Sequence, residues 1–157
     1  MRPLEERDLD PLSRDLGLGR DHILQRWEEH LAARDTMQIA EVGGRLAGSI
    51  CVEERGELPG LLYAFALQIA PGLQNRGIGS AVMAWVEEEA ARRGLAGVIF
   101  WVAEENTGAR RLYERLGYEP DGLRFGKRWL CEGPDGEQRE VVETVQRMLK
   151  RFDQGAR

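Results

Sequence analysis

The spacing of apolar and polar residues predicts a strand, a turn and a helix in the middle of the chain. Residues 63–70 are apolar except for Gln68, which predicts a strand that is buried on both faces. The Pro71-Gly72 pair ends this strand, because proline cannot donate to a hydrogen-bond ladder. Residues 78–85 then carry apolar side chains at positions i, i+3, i+4 and i+7, which predicts an amphipathic helix over about residues 77–93.

The rest of the chain alternates between strand and helix patterns. Asp21 is a candidate N-cap, Gly43-Gly44 is a hairpin turn signal, and Asn106 or Thr107 could cap a helix that Gly117 ends. The predicted strands are 2–4, 38–42, 46–54, 61–70, 97–102, 125–132 and 140–152, and the predicted helices are 8–17, 21–34, 77–93 and one that includes 109–116. We therefore expect an α/β protein with a mixed, twisted sheet of six or seven strands and helices on both faces.

Length, charge and cysteine content restrict the class of protein. The chain has 157 residues, which predicts one domain over 1–157, and its net charge of −5 argues against nucleic acid as the main partner. It shows neither an apolar run of membrane length nor a signal-peptide pattern, so we expect no membrane partner. Cys51 and Cys131 lack metal-ligand spacing, which predicts no metal site and reduced thiols in a cytoplasmic protein.

The turn before the helix at 77–93 has the features of an anion site. The first N–H groups of a helix lack backbone partners, and the helix dipole favours negative charge beside them. Gly77 and Gly79 allow a close approach to the main chain, and Arg76 adds a cation. A tight turn that needs glycine only for its backbone geometry is the alternative. No Lys-Ser or Lys-Thr pair follows Gly79, so the turn is not a Walker A loop, and the full Gly-x-Gly-x-x-Gly pattern is missing.

The same turn resembles motif A of the GCN5-related N-acetyltransferases, the GNAT family, whose pattern is Gln/Arg-x-x-Gly-x-Gly/Ala. The resemblance implies the GNAT fold and acetyl-CoA as the acyl donor. Its pyrophosphate would lie on the N–H groups of residues 76–80, and its pantetheine arm would bond to the strand edge at 67–69. The implied donor-binding residues in these two stretches are Leu67, Gln68, Ile69, Gln74, Asn75, Arg76, Gly77, Ile78, Gly79 and Ser80.

A second stretch, residues 104–118, resembles motif B of the same family, in which an Asn leads a helix and a Leu-Tyr pair follows. If Asn106 and Tyr113 lie on one helix, they fall roughly 20° apart on one face and about 10 Å apart along the axis. One CoA arm could then pass both residues. The resemblance implies that Tyr113 donates to the departing sulfur, either as a hydrogen-bond donor or as an acid with a lowered pKa. Together the motifs extend over about residues 38–152.

The general base is the point where this chain departs from the family pattern. At the two positions where relatives carry a glutamate, this chain has Tyr63 and Trp101. Glu104 follows Trp101 closely and is the substitute candidate, although a solvated charge at a strand end is an equal interpretation. Deprotonation through water needs no fixed residue.

The predicted reaction is direct transfer of acetyl from acetyl-CoA to a primary amine, with a backbone N–H, first of all that of Leu67, facing the oxyanion. The amine could belong to a protein N-terminus, a lysine or a small molecule. Glu53, Glu104 and Glu105 favour a cationic acceptor. Two alternatives remain: a non-catalytic acyl-CoA-binding module, and a nucleotide-phosphate-binding protein that uses the same anion site. A homodimer is an option that the sequence leaves open.

Overall fold

The computed structural model describes residues 1–32, 36–54, 58–132 and 135–153. The chain divides into two compact units, which we call unit 1 (residues 1–98 and 151–157) and unit 2 (residues 99–150). The helices and strands are β1 Arg2–Pro3, α1 Leu9–Leu16, α2 Arg20–Leu31, β2 Thr36–Val42, β3 Arg45–Glu53, β4 Leu62–Ile69, α3 Ile78–Arg92, β5 Gly97–Ala103, α4 Thr107–Arg115, β6 Glu119–Glu132 and β7 Gln138–Arg151. Two short 3₁₀ turns are formed by Glu6–Asp8 and Pro71–Leu73.

In unit 1, strands β1 to β4 lie in chain order, and each neighbouring pair is antiparallel. The β2–β3 hairpin turns at Gly43 and Gly44, whose φ angles are 59° and 76°. Two consecutive residues with positive φ match the twist of the flanking strands, and glycine adopts this geometry without strain. The hairpin predicted from the Gly-Gly pair is therefore confirmed.

Strand β4 contains a β-bulge. Ser49 pairs with Gln68 and Cys51 pairs with Phe65, so Ile50 alone lies opposite two residues of β4. One of these two residues, Ala66, has a φ of +54°, which is the left-handed region that alanine rarely adopts. A bulge leaves one residue outside the regular ladder and bends the strand locally. The pairing of β4 with β3 is thus regular up to Phe65 and irregular at Ala66 and Leu67.

The prediction that this strand is buried on both faces is wrong for the part from the bulge onwards. Leu62 and Ala64 are buried, whereas Ala66 is exposed and residues 67–69 are half-buried. Beside the bulge, β3 approaches β4 so closely that a Cβ at Gly48 would collide with the carbonyl oxygen of Gln68 and with Ile69. Glycine at position 48 is therefore required for the pairing that holds the end of β4.

Helices α1 and α2 cover a core cluster of unit 1 formed by Leu4, Leu12, Ile23, Met37, Ile39 and Cys51. Helix α1 ends as predicted at Gly17, which has a φ of 68° and whose N–H bonds to the Ser13 carbonyl at 3.0 Å. Helix α2 begins one residue earlier than predicted. Its N-cap is Gly19, in an extended conformation, so the prediction of Asp21 as N-cap is wrong. Asp21 lies in the first turn, where its charge still suits the helix dipole.

In unit 2, β7 lies between β5 and β6, and β6 and β7 form a long antiparallel ribbon from the Glu119–Leu149 pair to the Glu132–Gln138 pair. Strand β6 begins six residues before the predicted start at 125, because cross-strand pairing extends through Pro120 after an irregularity. The predicted turn residues Gly133 and Pro134 lie outside the described residues, as does Arg34 at the predicted end of the second helix.

The α/β class and the mixed sheet, with seven strands, are confirmed. The boundary between the units falls within β5, which begins in unit 1 and continues in unit 2. That the chain forms one domain over 1–157 stays a prediction.

Candidate functional site

The candidate anion turn lies in unit 1 between the end of β4 and the start of α3. After the 3₁₀ turn at Pro71–Leu73, the chain reverses through Asn75 and Gly77, whose φ angles are 60° and 80°. Gly77 is the N-cap of α3, and Ile78 is its first helical residue. Asparagine and glycine are the residues that adopt the left-handed region most readily, which explains why this local sequence forms the turn. The predicted strand, turn and helix are thus present in the predicted order.

The N-terminus of α3 offers unsatisfied N–H groups. The first bond of the helix runs from the Ala81 N–H to the Gly77 carbonyl at 3.0 Å, so the preceding N–H groups have no helical partner. No side chain caps the helix, and its first turn contains no acidic residue. Arg76 is exposed beside it and forms no hydrogen bond or ion pair with the part of the chain that the structure describes. The charge and the free donors together suit an anion.

The backbone of β4 leads into this turn. Gln68 and Ile69 still pair with β3, opposite Ser49 and Gly48, and the bulge lies immediately before them. The Gln74 side chain donates from Nε2 to the Ile69 carbonyl at 3.5 Å, at the limit for a hydrogen bond. Gln74 therefore contacts the backbone of the strand end.

In unit 2, Asn106 caps helix α4. Its Oδ1 accepts a hydrogen bond from the Ala109 N–H at 3.2 Å, and its φ and ψ of −78° and 70° are not helical. The helix begins only at Thr107, so the estimate that placed Asn106 and Tyr113 roughly 20° apart on one helix does not apply. The prediction that Asn106 caps this helix is confirmed. The cap uses only Oδ1 of the Asn106 side chain, and its amide nitrogen takes no part in the cap.

Tyr113 is buried on the inner side of α4, with 8% of its surface exposed. Its ring lies 4.3 Å from that of Phe100 and 6.2 Å from that of Tyr118, measured between ring centroids. Burial raises the pKa of the Tyr113 hydroxyl to about 12. This is the opposite of the lowered pKa that the acid alternative requires. The structure therefore favours a hydroxyl that donates a hydrogen bond and keeps its proton.

Glu104 follows β5 and forms an ion pair that the sequence did not indicate. Arg124, on β6, donates from its guanidinium to both carboxylate oxygens of Glu104, and the contact to Oε2 is 2.6 Å. The Glu104 N–H also bonds to the Thr144 carbonyl at 2.9 Å. Arg124 stands twenty residues away in the sequence, so no local pattern could have identified this pair. Glu104 is consequently held by backbone and side chain rather than free in solvent.

The two positions that carry glutamate in some relatives are occupied by aromatic residues that pack against other rings. Tyr63 stacks on Phe65 with ring centroids 5.1 Å apart, and Trp101 meets the edge of Phe125 at 4.8 Å. Arg147 lies over the Trp101 ring at 5.8 Å, at the outer limit of a cation–π contact.

The described residues, 1–32, 36–54, 58–132 and 135–153, contain neither a metal-binding cluster nor a membrane-spanning helix. Within them, no group of three or more His, Cys, Asp or Glu side chains is placed to hold a metal ion. Within them too, no helix is both long and apolar enough to cross a membrane.

Comparison with known proteins identifies the family. The model of the Acetyltransferase (GNAT) family matches residues 4–118. An acetyltransferase of Pectobacterium atrosepticum is 32% identical over 97 residues, which are 61% of this chain and 67% of that protein. An uncharacterized N-acetyltransferase of Methanocaldococcus jannaschii is 30% identical over 125 residues, which are 75% of this chain but only 46% of that protein.

Solved structures share the fold at low sequence identity. A ribosomal-protein-alanine N-acetyltransferase from Brucella melitensis is 18% identical, with a TM-score of 0.68 over 96% of this chain and 98% of that one. The yncA protein of Salmonella typhimurium, solved with its cofactor acetyl-CoA, is 16% identical, with a TM-score of 0.68 over 99% of this chain and 95% of that one. The chain belongs to the GNAT family of acetyltransferases, with acetyl-CoA as its acyl donor.

Proposed function

We propose that acetyl-CoA binds to the bulged end of β4 and to the N-terminal turn of α3, and that Tyr113 acts on the departing sulfur. The observation that carries this proposal is the turn itself, where two left-handed residues, Asn75 and Gly77, lead into a helix without an acidic residue in its first turn. The pyrophosphate accepts hydrogen bonds from the N–H groups of residues 76–80, and Arg76 adds a charge-assisted contact.

The bulge in β4 supports the role proposed for the Leu67 N–H. Two residues of β4 lie opposite Ile50, so the ladder is interrupted between Phe65 and Gln68. A donor that is released from its ladder partner is available to a ligand, and a fixed backbone N–H stabilises an oxyanion without reorganising. The pantetheine arm bonds to the backbone of residues 67–69 in the manner of an added strand.

Tyr113 donates a hydrogen bond to the sulfur as the thiolate leaves. Its hydroxyl forms no hydrogen bond with the residues that the structure describes, so it can donate to a ligand without breaking an existing contact. Its raised pKa keeps it protonated at neutral pH. The amine attacks the thioester carbon, the tetrahedral oxyanion collapses, and the C–S bond breaks with the electron pair leaving on sulfur.

Glu104 serves as the base only if it leaves Arg124. Both of its oxygens accept from that guanidinium, so a proton from the amine competes with an existing charge-assisted pair. The pair also neutralises one of the three acidic charges that favour a cationic acceptor. Transfer of the amine proton to water is the alternative route, and it requires no side chain.

A pair of variants separates these two routes. If Glu104 is the base, Glu104→Gln lowers kcat by about a hundredfold or more, and Arg124→Met changes kcat because it releases the carboxylate from its ion pair. If water takes the proton, both variants keep kcat within a few-fold and unchanged pH profiles. Glu105→Gln, one residue away on an exposed side chain, is the matched control.

We propose a cationic primary amine as the acceptor, because the chain has a net charge of −5. The experiment is a panel of amines with acetyl-CoA, read by thiol release: N-terminal peptides, lysine peptides, polyamines, amino acids and aminoglycosides. A preference for acidic or uncharged amines contradicts the cationic acceptor. If none of the amines in the panel causes release of CoA from acetyl-CoA, transfer to these classes of amine is contradicted.

A homodimer, a cytoplasmic location and a single domain remain part of the proposal. Sedimentation of the full chain at several concentrations tests the dimer, and a single cooperative unfolding transition tests the single domain.

A further inference from the structure

Unit 1 contains a cavity of about 790 Å³ that is lined by none of the residues assigned above to the acyl donor or to the transfer step. Its walls come from β1, from the 3₁₀ turn at Glu6–Asp8, from helix α1, from the ends of β2 and β3 around their hairpin turn, and from residues 70–73 after β4. None of the residues of the anion turn, 74–80, lines the cavity, and the lining residues that directly precede this turn in sequence are 70–73. It is large enough for a ligand of several functional groups.

Arginines dominate the charged part of this wall. Four arginines line the cavity, namely Arg2, Arg7, Arg14 and Arg45, against the three acidic side chains of Asp8, Asp15 and Glu41. A surplus of positive charge at this place is unexpected in a chain whose net charge is −5. The wall therefore departs locally from the charge of the whole protein.

Two of these arginines are already occupied by carboxylates. Arg2 donates to both oxygens of Asp8 at 2.7 Å and to Glu41 at 2.6 Å, and only 19% of its side chain is exposed. Arg14 pairs with its neighbour Asp15 at 2.9 Å. These pairs account for all three acidic side chains of the wall.

The other two arginines keep donors for a ligand. Arg7 forms an ion pair with Glu5 through Nε at 2.8 Å, and its terminal nitrogens form no hydrogen bond with the described residues. After the hydrogen bonds from Arg2, the charge of Arg7 also helps to lower the pKa values of the Asp8 and Glu41 carboxyls. Arg45 is exposed and forms no hydrogen bond or ion pair with residues 1–32, 36–54, 58–132 or 135–153. Its charge is felt only at a distance, as one cause that lowers the pKa of the Asp15 carboxyl after the hydrogen bond from Arg14.

Apolar side chains form the remaining part of the wall. Pro11, Val42, Leu46, Ala70, Pro71 and Leu73 line the cavity beside the arginines. A ligand that fits both the charged part and the apolar part of this wall has an anionic head and an apolar body. Guanidinium groups bind carboxylates and phosphates through paired N–H donors, and the apolar wall gains from covering hydrocarbon surface.

We propose that this cavity binds a small amphipathic anion, a carboxylate or a phosphate monoester with an apolar body, through Arg7 and Arg45. The site is separate from the acetyl-CoA turn and does not depend on the role proposed for that turn. Residues 71–73 link the two, since they line the cavity and directly precede Gln74.

The test uses phenyl phosphate as the probe and two-dimensional ¹H–¹⁵N NMR spectra of the full chain at constant ionic strength, without CoA. We expect saturable shifts of the backbone signals of Gly44, Leu46 and Leu73. Inorganic phosphate binds more weakly because it lacks the apolar body, and phenol, which lacks the anion, causes no saturable shift of these signals.

Variants identify the arginines. Arg45→Met and, separately, Arg7→Met weaken phenyl phosphate binding by about five- to tenfold, as the loss of a charge-assisted contact predicts. Arg20→Met is the matched control, because Arg20 is an exposed arginine of the same unit that does not line the cavity. Spectra of each variant without probe verify the fold.

Four outcomes overturn the proposal: no saturable shift at the cavity signals, equal affinity in the control and in both test variants, shifts confined to residues 77–80, or displacement of phenyl phosphate from the cavity by CoA. The third would assign the anion to the turn, and the fourth would assign the cavity to the acyl donor. Failure of the acetyl-CoA proposal changes neither the expected shifts nor the effect of Arg45→Met.

Discussion

Replacement of Tyr113 by phenylalanine separates a catalytic hydroxyl from a packing residue. The ring contacts of Tyr113 with Phe100 and Tyr118 involve carbon atoms that phenylalanine keeps. The hydroxyl forms no hydrogen bond with the described residues, so its removal leaves no polar group unsatisfied there. We therefore expect Tyr113→Phe to fold with nearly the stability of the parent and to keep its affinity for CoA.

The pKa of the hydroxyl sets the size of the expected catalytic loss. Burial raises the pKa of Tyr113 to about 12, against about 8.5 for an ordinary thiol, so complete proton transfer to the sulfur is uphill by about 5 kcal/mol. Tyr113 therefore contributes by hydrogen bonding to the charge that develops on sulfur. Such a bond to a charged group contributes about 1.5–3 kcal/mol, which predicts a ten- to 150-fold loss of kcat.

The assay compares two acyl donors with the best amine of the panel. With acetyl-CoA, Tyr113→Phe lowers kcat and kcat/KM together, because the bond forms mainly in the transition state. With a thioester whose thiol has a low pKa, the loss shrinks, since that thiolate needs less stabilisation. Tyr118→Phe is the matched control, as it removes the same group from a neighbouring buried ring. Near-normal kcat of Tyr113→Phe with acetyl-CoA across pH 6–9 would refute the assignment and leave Tyr113 a packing residue.

The raised pKa of Tyr113 also predicts how the stability of the fold changes at alkaline pH. Because the folded pKa is about 12 and an unfolded tyrosine titrates near pH 10, the neutral ring is favoured in the fold. This contribution is complete below pH 10 and is lost as the pH rises towards 12, by about 2–3 kcal/mol. Urea unfolding at pH 9 to 11.5 should show a shallower loss for Tyr113→Phe than for the parent. Identical pH curves would contradict the raised pKa.

Three further predictions concern the turn, the acceptor and the first strand. Gly79→Val places a branched side chain where the pyrophosphate approaches, so CoA affinity measured by calorimetry should fall at least tenfold while the fold survives; unchanged affinity would refute the turn as the CoA site. If the acceptor is cationic, kcat/KM for that amine should fall as salt rises from 20 to 500 mM, whereas a flat salt profile would reject electrostatic attraction. Burial raises the pKa of the Asp8 carboxyl, but its hydrogen bonds, above all that from Arg2, hold the pKa below its usual value, so the pair stabilises the fold above pH 4 and is lost as the pH falls. Asp8→Asn should cost about 3 kcal/mol at pH 7 by urea unfolding and less at pH 3, and an equal cost at both values would contradict the ion pair.

Local sequence decided the elements and most of the turn chemistry, because their causes lie within a few residues. Gly43-Gly44 sets the β2–β3 turn through two positive φ angles, and Gly77 sets the start of α3 through another. Asn106 caps α4 through a bond to a residue three positions away. Motif A and motif B could be identified for the same reason, since each lies within one turn and its helix.

Only the tertiary structure decided how the candidate residues are held. The bulge in β4 places Ala66 at a φ of +54° because of its pairing with β3, and nothing in a run of apolar residues marks that position. Glu104 is bound by Arg124, and the pKa of Tyr113 is raised by burial behind Phe100. The cavity at Arg7 and Arg45 joins residues from the 3₁₀ turn at Glu6–Asp8, from α1, from the β2–β3 hairpin turn and from residues 70–73 after β4. The sequence was sufficient to identify these groups as candidates. Their charge state and their availability to a ligand depend on burial and ion pairing with residues that are distant in sequence, so only the fold determines them.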